Sequence, residues 1–441
     1  MRTPIYDFVC SYAKSGTERL HMPGHKGKAL IGIEHLDITE IAGADDLYCA
    51  DGIIAESERE ASRLFGAYTF YSTEGSSLCI RAMLYLVAKY AAMRGEKPRI
   101  LACRNAHKVF IYAAAMLDVD VDWLFADGGS YLSCTPSAKA LEEAFSNARD
   151  LPTAVYLTSP DYLGNVCDVR KISEVCHRFG VLLLVDNAHG AYTKFLRSSM
   201  HPIDLGADAC CDSSHKTLPA LTGCAYLHVS HASPSFLSEN AKQALSIFGS
   251  TSPSYLLLAS LDKVNEYIEN GYRDRLCALA DKIDGIKKEL AEVGYTLVGD
   301  EPLKITVAAR PYGYTGIELA QRLRDKAIEC EFSDSDFTVA MLTPESDADA
   351  LRRALLAIPK KAPLSDTAPS FVPPTAVTSI REAILAPSER VLTKDAVGRI
   401  LATPCVSCPP AVPIVVSGER ISEDAASAML YYGIENCDVM V

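Results

Sequence analysis

The residue with the clearest chemical potential is a lysine, Lys216, in the sequence DSSHKTLPALTG. Apart from Lys216 itself and His215, no charged residue lies between Asp212 and His228. A lone lysine among hydroxyl-bearing and apolar residues favours an amine in a pocket, since solvated lysines usually have acidic neighbours. A desolvated amine has a lowered pKa and can form a Schiff base. From this stretch alone, a surface lysine in a serine-rich loop remains an open alternative.

A second candidate is the turn containing Gly75, Ser76 and Ser77, which opens a predicted helix with Leu78 and Met83 on its core-facing side. Free backbone N–H groups, hydroxyls and the positive end of a helix dipole suit a phosphate. Such turns also begin many helices that bind nothing. The turn alone leaves phosphate binding open.

A third candidate is an aspartate, Asp186, in the segment DNAHG, which precedes Lys216 by 30 residues. It follows the apolar run 181–185, which is typical of a strand buried on both faces of a parallel sheet. An ionised carboxylate beside a pyridine nitrogen keeps that nitrogen protonated. An aspartate at a strand end is also often an ordinary loop or cap residue.

The elements that must position these residues alternate between helix and strand from about residue 55. Predicted strands cover 99–103, 155–158, 181–185, 304–309 and 337–342. Predicted helices cover 56–65, much of 241–290, 316–328, 347–357 and 379–385, and others open after 77, 108, 135 and 168. Polar clusters at 72–77, 104–108, 159–165, 186–190 and 213–217 fall in positions where this alternation places the carboxyl ends of strands. Because ligands of open α/β sheets bind beyond the carboxyl ends of the strands, the coincidence predicts one shared site.

The predicted fold is therefore α/β, with a mostly parallel sheet in a large domain and a smaller α+β C-terminal domain. The predicted parts are an N-terminal segment at 1–50 that contributes to the site and dimer, a large domain at 51–295, a small domain at 296–358, a proline-rich linker at 359–375, and a C-terminal region at 376–441 that packs with the small domain.

Composition narrows the class of protein. The chain has 441 residues, 49% of them hydrophobic and 22% charged, as in an ordinary globular protein. Its net charge of −13 argues against nucleic acid or an anionic membrane as a partner. No apolar run approaches the roughly 20 residues that span a bilayer, and the N-terminus lacks the apolar core of a signal peptide. Fifteen scattered cysteines predict reduced thiols and a cytoplasmic protein.

Five features together suit pyridoxal 5′-phosphate (PLP). They are a lysine for a Schiff base, an acid for the ring nitrogen, a phosphate cup, a flat group over the ring and a small residue beneath it. The residues in these places are Lys216; Asp186; Gly75, Ser76, Ser77 and Ser213; His107; and Ala188. A protonated ring accepts the electrons of a carbanion, so the aspartate matters most.

Four motifs resemble the ornithine/lysine/arginine decarboxylase family, a fold-type-I PLP group with the aspartate aminotransferase fold. They are HMPGHKG, RNAHK, DNAHGAY and DSSHKTLPALTG, and SPSYLLLASLD, IREA and CPPAVP echo later family segments. The resemblance runs from about residue 5 to the tail. The resemblance is to a short member of this family, which lacks the receiver-like N-terminal domain of the large inducible enzymes.

The resemblance implies that Lys216 holds the cofactor as a Schiff base and that Asp186 pairs with the ring nitrogen. His107 would stack on the ring against Ala188 on the other face, and His189 would lie near the phenolic oxygen. The implied phosphate ligands are Ser76, Ser77, Ser213 and His215, with Thr251 or Ser252 reaching the phosphate of a partner subunit. The resemblance also implies a homodimer or higher homo-oligomer whose site lies at the subunit interface.

Several positions depart from the family pattern. These are Asn187 in place of Glu, Glu74 in place of Asn, Asp161 in place of Thr, Asp212 in place of Gln, Ile380 in place of Pro, and Cys408 and Ala411 in place of the Tyr and Gly of Tyr-Pro-Pro-Gly. They remove neither the lysine nor the aspartate, but they leave the substrate and the level of activity open.

The predicted reaction is decarboxylation of arginine, lysine or ornithine to the amine, as in polyamine metabolism. Lys216 or His215 would return a proton to Cα once carbon dioxide leaves. Asp45, Asp46 and Glu40 are candidates for the acid that binds the distal cation of the substrate, although surface carboxylates are the usual explanation for such residues.

Two alternatives stay open: another PLP-dependent lyase or an aminotransferase on the same fold, and a PLP-binding homologue that serves as a regulator or scaffold. A metal site is not predicted, because no second cysteine pair has zinc-ribbon spacing. The metal ligands considered are Cys405 with Cys408, Cys210 with Cys211, and Cys103 with His107.

Overall fold

The computed structural model describes residues 2–125, 130–365, 369, 372, 374–405 and 410–441. The helices in these residues are α1 (Pro4–Lys14), α2 (Ile53–Phe65), α3 (Gly75–Met93), α4 (Lys108–Leu117), α5 (Ala138–Asn147), α6 (Val169–Arg178), α7 (Ser214–Thr217), α8 (Ser235–Glu239), α9 (Ala241–Ser246), α10 (Tyr255–Glu269), α11 (Tyr272–Glu292), α12 (Gly316–Arg324), α13 (Ala348–Leu356), α14 (Ile380–Leu385) and α15 (Glu423–Tyr431).

The strands among the described residues fall into four sheets. They are β1 (Tyr68–Ser72), β2 (Arg99–Cys103), β3 (Asp120–Leu124), β4 (Ala154–Thr158), β5 (Leu182–Asp186), β6 (Ala209–Asp212), β7 (Ala225–Val229), β8 (Thr296–Val298), β9 (Lys304–Ala308), β10 (Phe332–Ser333), β11 (Phe337–Met341), β12 (Thr375–Ala376), β13 (Ser388–Leu392), β14 (Leu401–Thr403), β15 (Glu419–Arg420) and β16 (Asn436–Met440). The largest sheet has the order β1-β7-β6-β5-β4-β2-β3. Its parallel pairs include β5 with β6 and β2 with β3, whereas β7 runs antiparallel to both of its neighbours. The predicted α/β class with a mostly parallel sheet is confirmed.

The chain divides into two compact units, which we describe separately. Unit 1 comprises residues 1–97, 153–155 and 169–274, and unit 2 comprises residues 98–152, 156–168 and 275–441. The predicted domain boundaries at residues 50, 295, 358 and 375 stay predictions.

Unit 1 is built on strands that are buried on both faces. All residues of β5, β6 and β7 are buried, as their apolar sequences require. Asp186 pairs with Cys211 across the parallel strands β5 and β6, and Asp212 pairs with Tyr226 across β6 and β7. The carboxyl ends of β5 and β6 therefore meet at one edge of the sheet.

Unit 2 contains a smaller antiparallel sheet in the order β10-β11-β9-β8. A short three-stranded sheet, β13-β16-β14, lies near the end of the chain, with α15 packed among its buried residues. A second apolar cluster joins distant parts of the unit through Leu132, Leu163, Phe332, Val339 and Val412.

The predicted elements agree with the structure to within a few residues, with one consequence for the site. The strand predicted at 181–185 covers Leu182–Asp186, so Asp186 is the last strand residue rather than the first loop residue. The elements without a predicted counterpart are the helices α1, α7, α8 and α15 and the strands β1, β3, β6 to β8, β10 and β12 to β16. Strands β6 and β7 carry cysteine and histidine at buried positions, which hydrophobic periodicity does not register.

Among the residues that the structure describes, no helix is both long enough and apolar enough to cross a membrane.

Candidate active site

Lys216 lies in the short helix α7, immediately beyond β6, where its amine contacts a histidine. Lys216 Nζ is 3.0 Å from Nε2 of His189, a buried residue of the loop after β5. Lys216 itself is half-buried. This is not the setting of a solvated surface lysine. The contact also joins the two segments that sequence reasoning singled out, since His189 is three residues beyond Asp186.

Asp186 is buried, and its carboxylate is oriented by two local contacts. Oδ1 accepts hydrogen bonds from the backbone N–H of Ala188 at 3.2 Å and from the thiol of Cys211 at 3.5 Å. The backbone N–H of Asn187 donates to the carbonyl of Cys211 at 3.0 Å, which continues the β5–β6 pairing by one residue. These contacts fix the orientation of the Asp186 carboxylate. It lies at the sheet edge beyond which Lys216 follows β6.

The predicted phosphate cup brings together residues that are far apart in sequence. Ser213 Oγ donates to Ser76 Oγ at 2.8 Å, which places the start of α7 beside the first turn of α3, where Ser77 also lies. Gly75 has a φ of +71°, which favours glycine, and its N–H donates to the carbonyl of Gly223 at 2.7 Å. The N-terminus of α3 therefore lies beside the hydroxyl of Ser213. Its ligand remains a proposal.

His215 is oriented by the chain that follows it. Its Nδ1 lies 2.8 Å from the carbonyl oxygen of Cys224, so Nδ1 carries the proton and donates. The same carbonyl accepts the backbone N–H of His215 at 3.4 Å. The ring plane and the tautomer of His215 are thereby set.

Glu74 orders the segment that contains Thr251 and Ser252. The backbone N–H of Ser250 donates to Glu74 Oε1 at 2.6 Å. Thr251 and Ser252 follow and are exposed. Glu74, which departs from the family pattern, thus accepts a backbone hydrogen bond from this segment. Whether Thr251 or Ser252 meets a partner subunit stays a prediction.

Two other departures, Asn187 and Asp212, form one hydrogen bond. Asn187 Nδ2 donates to Asp212 Oδ1 at 2.7 Å, and both side chains are buried. The two departures at 187 and 212 are therefore the two partners of one acid–amide hydrogen bond.

In unit 2, His107 caps the N-terminus of α4. Its Nδ1 accepts the backbone N–H of Val109 at 3.2 Å. The next residue, Lys108, donates its backbone N–H to the carbonyl of Ala411 at 2.8 Å. The segment 410–419, which we call the tail segment, thus holds the start of α4. The stacking of His107 on a cofactor ring stays a prediction.

A buried ion pair fixes the same tail segment. Arg104 Nη2 lies 2.9 Å from Glu419 Oε2, with the side chains 5% and 4% exposed. The guanidinium also donates to the carbonyls of Pro413 and Ile414 at 3.2 and 3.0 Å. Burial lowers the pKa of Arg104 and raises that of Glu419, and their mutual attraction opposes both shifts. Three residues before His107, the chain is therefore clamped to the tail.

The remaining departures from the family pattern have local structural roles or lie outside the description. Asp161 is buried and accepts the backbone and side-chain N–H groups of Asn165, both at 2.9 Å. Ile380 begins α14 after a capping box formed by Ser379 and Glu382. Cys408 lies outside the described residues.

The proposed acids for the substrate cation have other partners. Asp45 accepts the backbone N–H groups of residues 46, 51, 52, 54 and 55, at 2.9 to 3.2 Å. Asp46 accepts those of Tyr48 and Cys49. Glu40 accepts the hydroxyl of Thr39. The carboxylate of Asp45 is used to cap α2, which makes it a poor substrate ligand.

Comparison with known proteins identifies the family. Residues 3–296 match the model described as Orn/Lys/Arg decarboxylase, major domain, and residues 364–435 match Orn/Lys/Arg decarboxylase, C-terminal domain. The chain belongs to the Orn/Lys/Arg decarboxylase family. A curated relative is the arginine decarboxylase of Halalkalibacterium halodurans, which is 29% identical over 460 residues, covering 96% of this chain and 91% of the relative.

Solved structures confirm the fold of this family member. The lysine decarboxylase LdcF of Francisella novicida aligns with a TM-score of 0.78 at 16% identity, covering 100% of this chain and 81% of that one. Alanine–glyoxylate aminotransferase from Nostoc aligns with a TM-score of 0.54 at 18% identity, covering 69% and 86%. Family and fold imply PLP as the cofactor.

The residues of unit 1 fit this cofactor chemically. An amine, a buried carboxylate and a helix N-terminus with hydroxyls occur around one edge of the sheet. In addition, the buried hydroxyls of Ser214 and Thr217, on either side of His215 and Lys216, have no hydrogen-bond partner among the described residues. Unsatisfied buried hydroxyls are costly, so a polar ligand beside α7 would complete them.

Sequence reasoning missed the groups that support the predicted residues. These are Asp212 as a hydrogen-bond acceptor, His201, His228, and Glu419 as the partner of Arg104. Their partners lie far away in sequence or on other strands, so spacing contains no signal for them. A weak signal was available for Asp212 alone, as an acid immediately before the polar DSSHK cluster.

The tail yields a prediction about stability. Ala411 is buried with a φ of +56°, a conformation that favours glycine. Ala411→Gly should relieve this strain and raise the free energy of unfolding by about 0.5–1 kcal/mol, after the entropy that glycine adds to the unfolded chain. Urea unfolding of the full chain measures it. Ala428→Gly, inside α15, is the control and should lower stability; a loss of stability in Ala411→Gly would contradict the strain.

The Arg104–Glu419 pair yields a second prediction. Arg104→Met leaves a buried carboxylate without its cation and should cost about 3–5 kcal/mol of unfolding free energy. The double variant with Glu419→Met should be more stable than either single variant, because it leaves no buried charge. The exposed pair Arg324–Glu329 has the same 2.9 Å separation and serves as the control, with a much smaller effect of Arg324→Met. Equal effects at the two pairs would show that burial is irrelevant.

Proposed function

We propose that this protein decarboxylates a basic amino acid, namely arginine, lysine or ornithine, with PLP held by Lys216. The observation that supports this most is the contact between Lys216 and His189, which joins the lysine to the loop that begins with Asp186. The relative from Halalkalibacterium halodurans, named as an arginine decarboxylase, supports the choice of reaction. The net charge of −13 suits a cationic substrate.

In this proposal the site residues share the tasks of holding the cofactor and moving a proton. PLP supplies an aldehyde for an amine and a cationic ring that takes up the electron pair of the breaking Cα–carboxylate bond. Asp186 keeps the ring nitrogen protonated, because its ionised carboxylate favours the charged form. Ser76, Ser77, Ser213 and His215 bind the phosphate, and His107 and Ala188 pack against the two faces of the ring.

Proton delivery is assigned to the groups beyond β6. Once carbon dioxide has left, Lys216 or His215 donates a proton to Cα. His189 holds the amine of Lys216 at 3.0 Å, so the amine stays on one side of the site while it exchanges its proton. A decarboxylase should also leave the substrate carboxylate weakly solvated, since a tight ion pair would stabilise the ground state.

The setting of the enzyme is also proposed. We infer a homodimer or higher homo-oligomer in which Thr251 or Ser252 reaches the partner's phosphate site; their exposure next to the Glu74–Ser250 contact supports this. We infer a cytoplasmic enzyme of polyamine metabolism. The free thiols of the described cysteines support a reducing compartment.

The test of the reaction combines spectroscopy with a product assay. PLP added to the purified protein should give the visible absorbance of a lysine Schiff base. Carbon dioxide release should then be measured over a panel of amino acids that includes arginine, lysine and ornithine. Formation of a keto acid and pyridoxamine phosphate instead of carbon dioxide would identify an aminotransferase. Cofactor absorbance without turnover of any amino acid would identify a binding protein.

Substitution of the central lysine gives a sharper prediction. Lys216→Ala should lower turnover by at least about a thousandfold, the order seen when a covalent catalytic group is removed. Lys194→Ala is the matched control, because Lys194 is a lysine of the same unit that pairs with Asp204 at 2.6 Å. Full turnover in Lys216→Ala would show that the assigned mechanism is wrong.

A further inference from the structure

A buried carboxylate with three N–H donors lies behind the predicted cofactor loops. Asp212 Oδ2 is 3.1 Å from Nε2 of His201 and 3.2 Å from Nε2 of His228, while Oδ1 accepts Asn187 Nδ2 at 2.7 Å. The side chains of Asp212, His201 and His228 are fully buried. We call Asp212, His201, His228 and Asn187 the Asp212 cluster.

The cluster has the composition of a metal site, but its hydrogen bonds favour a different role. Cys210 Sγ lies 4.0 Å from His201 Nε2, so a thiol, an imidazole and a carboxylate converge. However, His201 Nδ1 accepts the backbone N–H of Ile203 at 3.4 Å. A neutral imidazole that accepts at Nδ1 has its proton on Nε2, which then donates to Asp212. A metal-bound histidine would instead donate through the other nitrogen.

The charge of the cluster follows from its surroundings. Burial alone would raise the pKa of Asp212, but the two histidines and their hydrogen bonds hold that pKa well below its ordinary value. Burial lowers the pKa of His228, whose Nδ1 lies 2.9 Å from the hydroxyl of Thr69. The Phe65 ring lies 4.5 Å from His228 and 5.7 Å from His201, centroid to centroid, which keeps the surroundings apolar. The carboxylate of Asp212 is therefore ionised at neutral pH.

Asp212 is linked to both parts of the predicted site. Through Asn187 it holds the residue that follows Asp186, and Asn187 in turn accepts the N–H of Gly190 at 2.7 Å, closing the loop. Along its own strand it precedes Ser213, the partner of Ser76. The carboxylate itself is fully buried, so its influence on a ligand passes through these neighbours.

We propose that Asp212 is a positioning residue, which sets the orientation of Asp186 toward the PLP ring by anchoring the side chain of Asn187. The inference rests on the proposed function and deepens it. In this role Asp212 acts through its neighbours, because its carboxylate is fully buried. Its hydrogen bond to Asn187 fixes the backbone of the loop, and the N–H of Ala188 in that loop orients the carboxylate of Asp186.

The decisive experiment exchanges the two partners. Asn187→Asp places a second carboxylate against Asp212 and should weaken PLP binding by roughly tenfold or more, because a hydrogen bond becomes a like-charge contact. In the double variant with Asp212→Asn, the amide N–H group at 212 donates to the carboxylate at 187, so the hydrogen bond is restored with its direction reversed. The amide oxygen at 212 still accepts from both histidines. The double variant should return to within about threefold of the wild-type dissociation constant.

The matched control removes a negative charge from the same part of the chain without touching Asn187. Asp208, just before β6, is buried and contacts His177 at 3.2 Å. Asn187→Asp combined with Asp208→Asn should bind PLP as weakly as Asn187→Asp alone. The readouts are titration of the apo-protein with PLP, the pH dependence of the bound-cofactor absorbance and thermal unfolding of every variant.

The outcomes separate a positioning role from general support of the core. Positioning predicts that the absorbance pH profile shifts in Asn187→Asp and returns in the exchange variant. Three results would overturn the inference. PLP affinity could be restored equally by Asp208→Asn, it could fail to be restored by Asp212→Asn, or it could simply follow thermal stability in all variants. If Asn187→Asp does not fold, the two double variants are compared with each other directly, and equal PLP affinity would overturn it.

The proposed function can fail separately. Wild-type protein that does not bind PLP would contradict both that function and the present inference. Wild-type protein that binds PLP and needs Lys216 for turnover, but shows no specific rescue in the exchange variant, would contradict the inference alone.

Discussion

The candidate site depends on the parallel pairing of β5 and β6. Two parallel strands end at the same edge of a sheet, so whatever residues follow them are brought together. Here one strand ends with Asp186, and the other leads into Lys216. A register error of one residue would send these side chains to opposite faces. The contact between Lys216 and His189 then joins the segment after β6 to the loop after β5.

Fixed polar contacts support that edge from within unit 1. The carboxylate of Asp212 is satisfied by three donors in an apolar environment, where an unsatisfied charge would be very costly. Such a group tolerates few alternative arrangements, which suits a site that must hold the acid partner of a cofactor within a narrow range of positions. In unit 2 the buried pair of Arg104 and Glu419 acts in the same way on the segment before His107.

Much of the fold and the central residues could be predicted from the sequence, for a physical reason. The strand at 181–185 is apolar throughout, and the polar residues that follow each strand stand out against it. Lys216, Asp186, Ser76 and Ser213 were found in this way, and the structure brings Ser76 and Ser213 together. The supporting groups could not be found, because His201, His228 and Glu419 act through long-range contacts that leave no local pattern. Asn187 and Asp212 are 25 residues apart in sequence, so nothing local shows that these two departures are partners in one hydrogen bond.

The central claim is that the amine of Lys216, at the edge formed by β5 and β6, holds the aldehyde of PLP. Borohydride reduction of the PLP-loaded protein, followed by peptide mass spectrometry, tests this claim most directly, because reduction converts a Schiff base into a stable covalent bond at the lysine that formed it. The account predicts a pyridoxyl group on the peptide that contains Lys216. A pyridoxyl group on a different lysine, or on none, would contradict it.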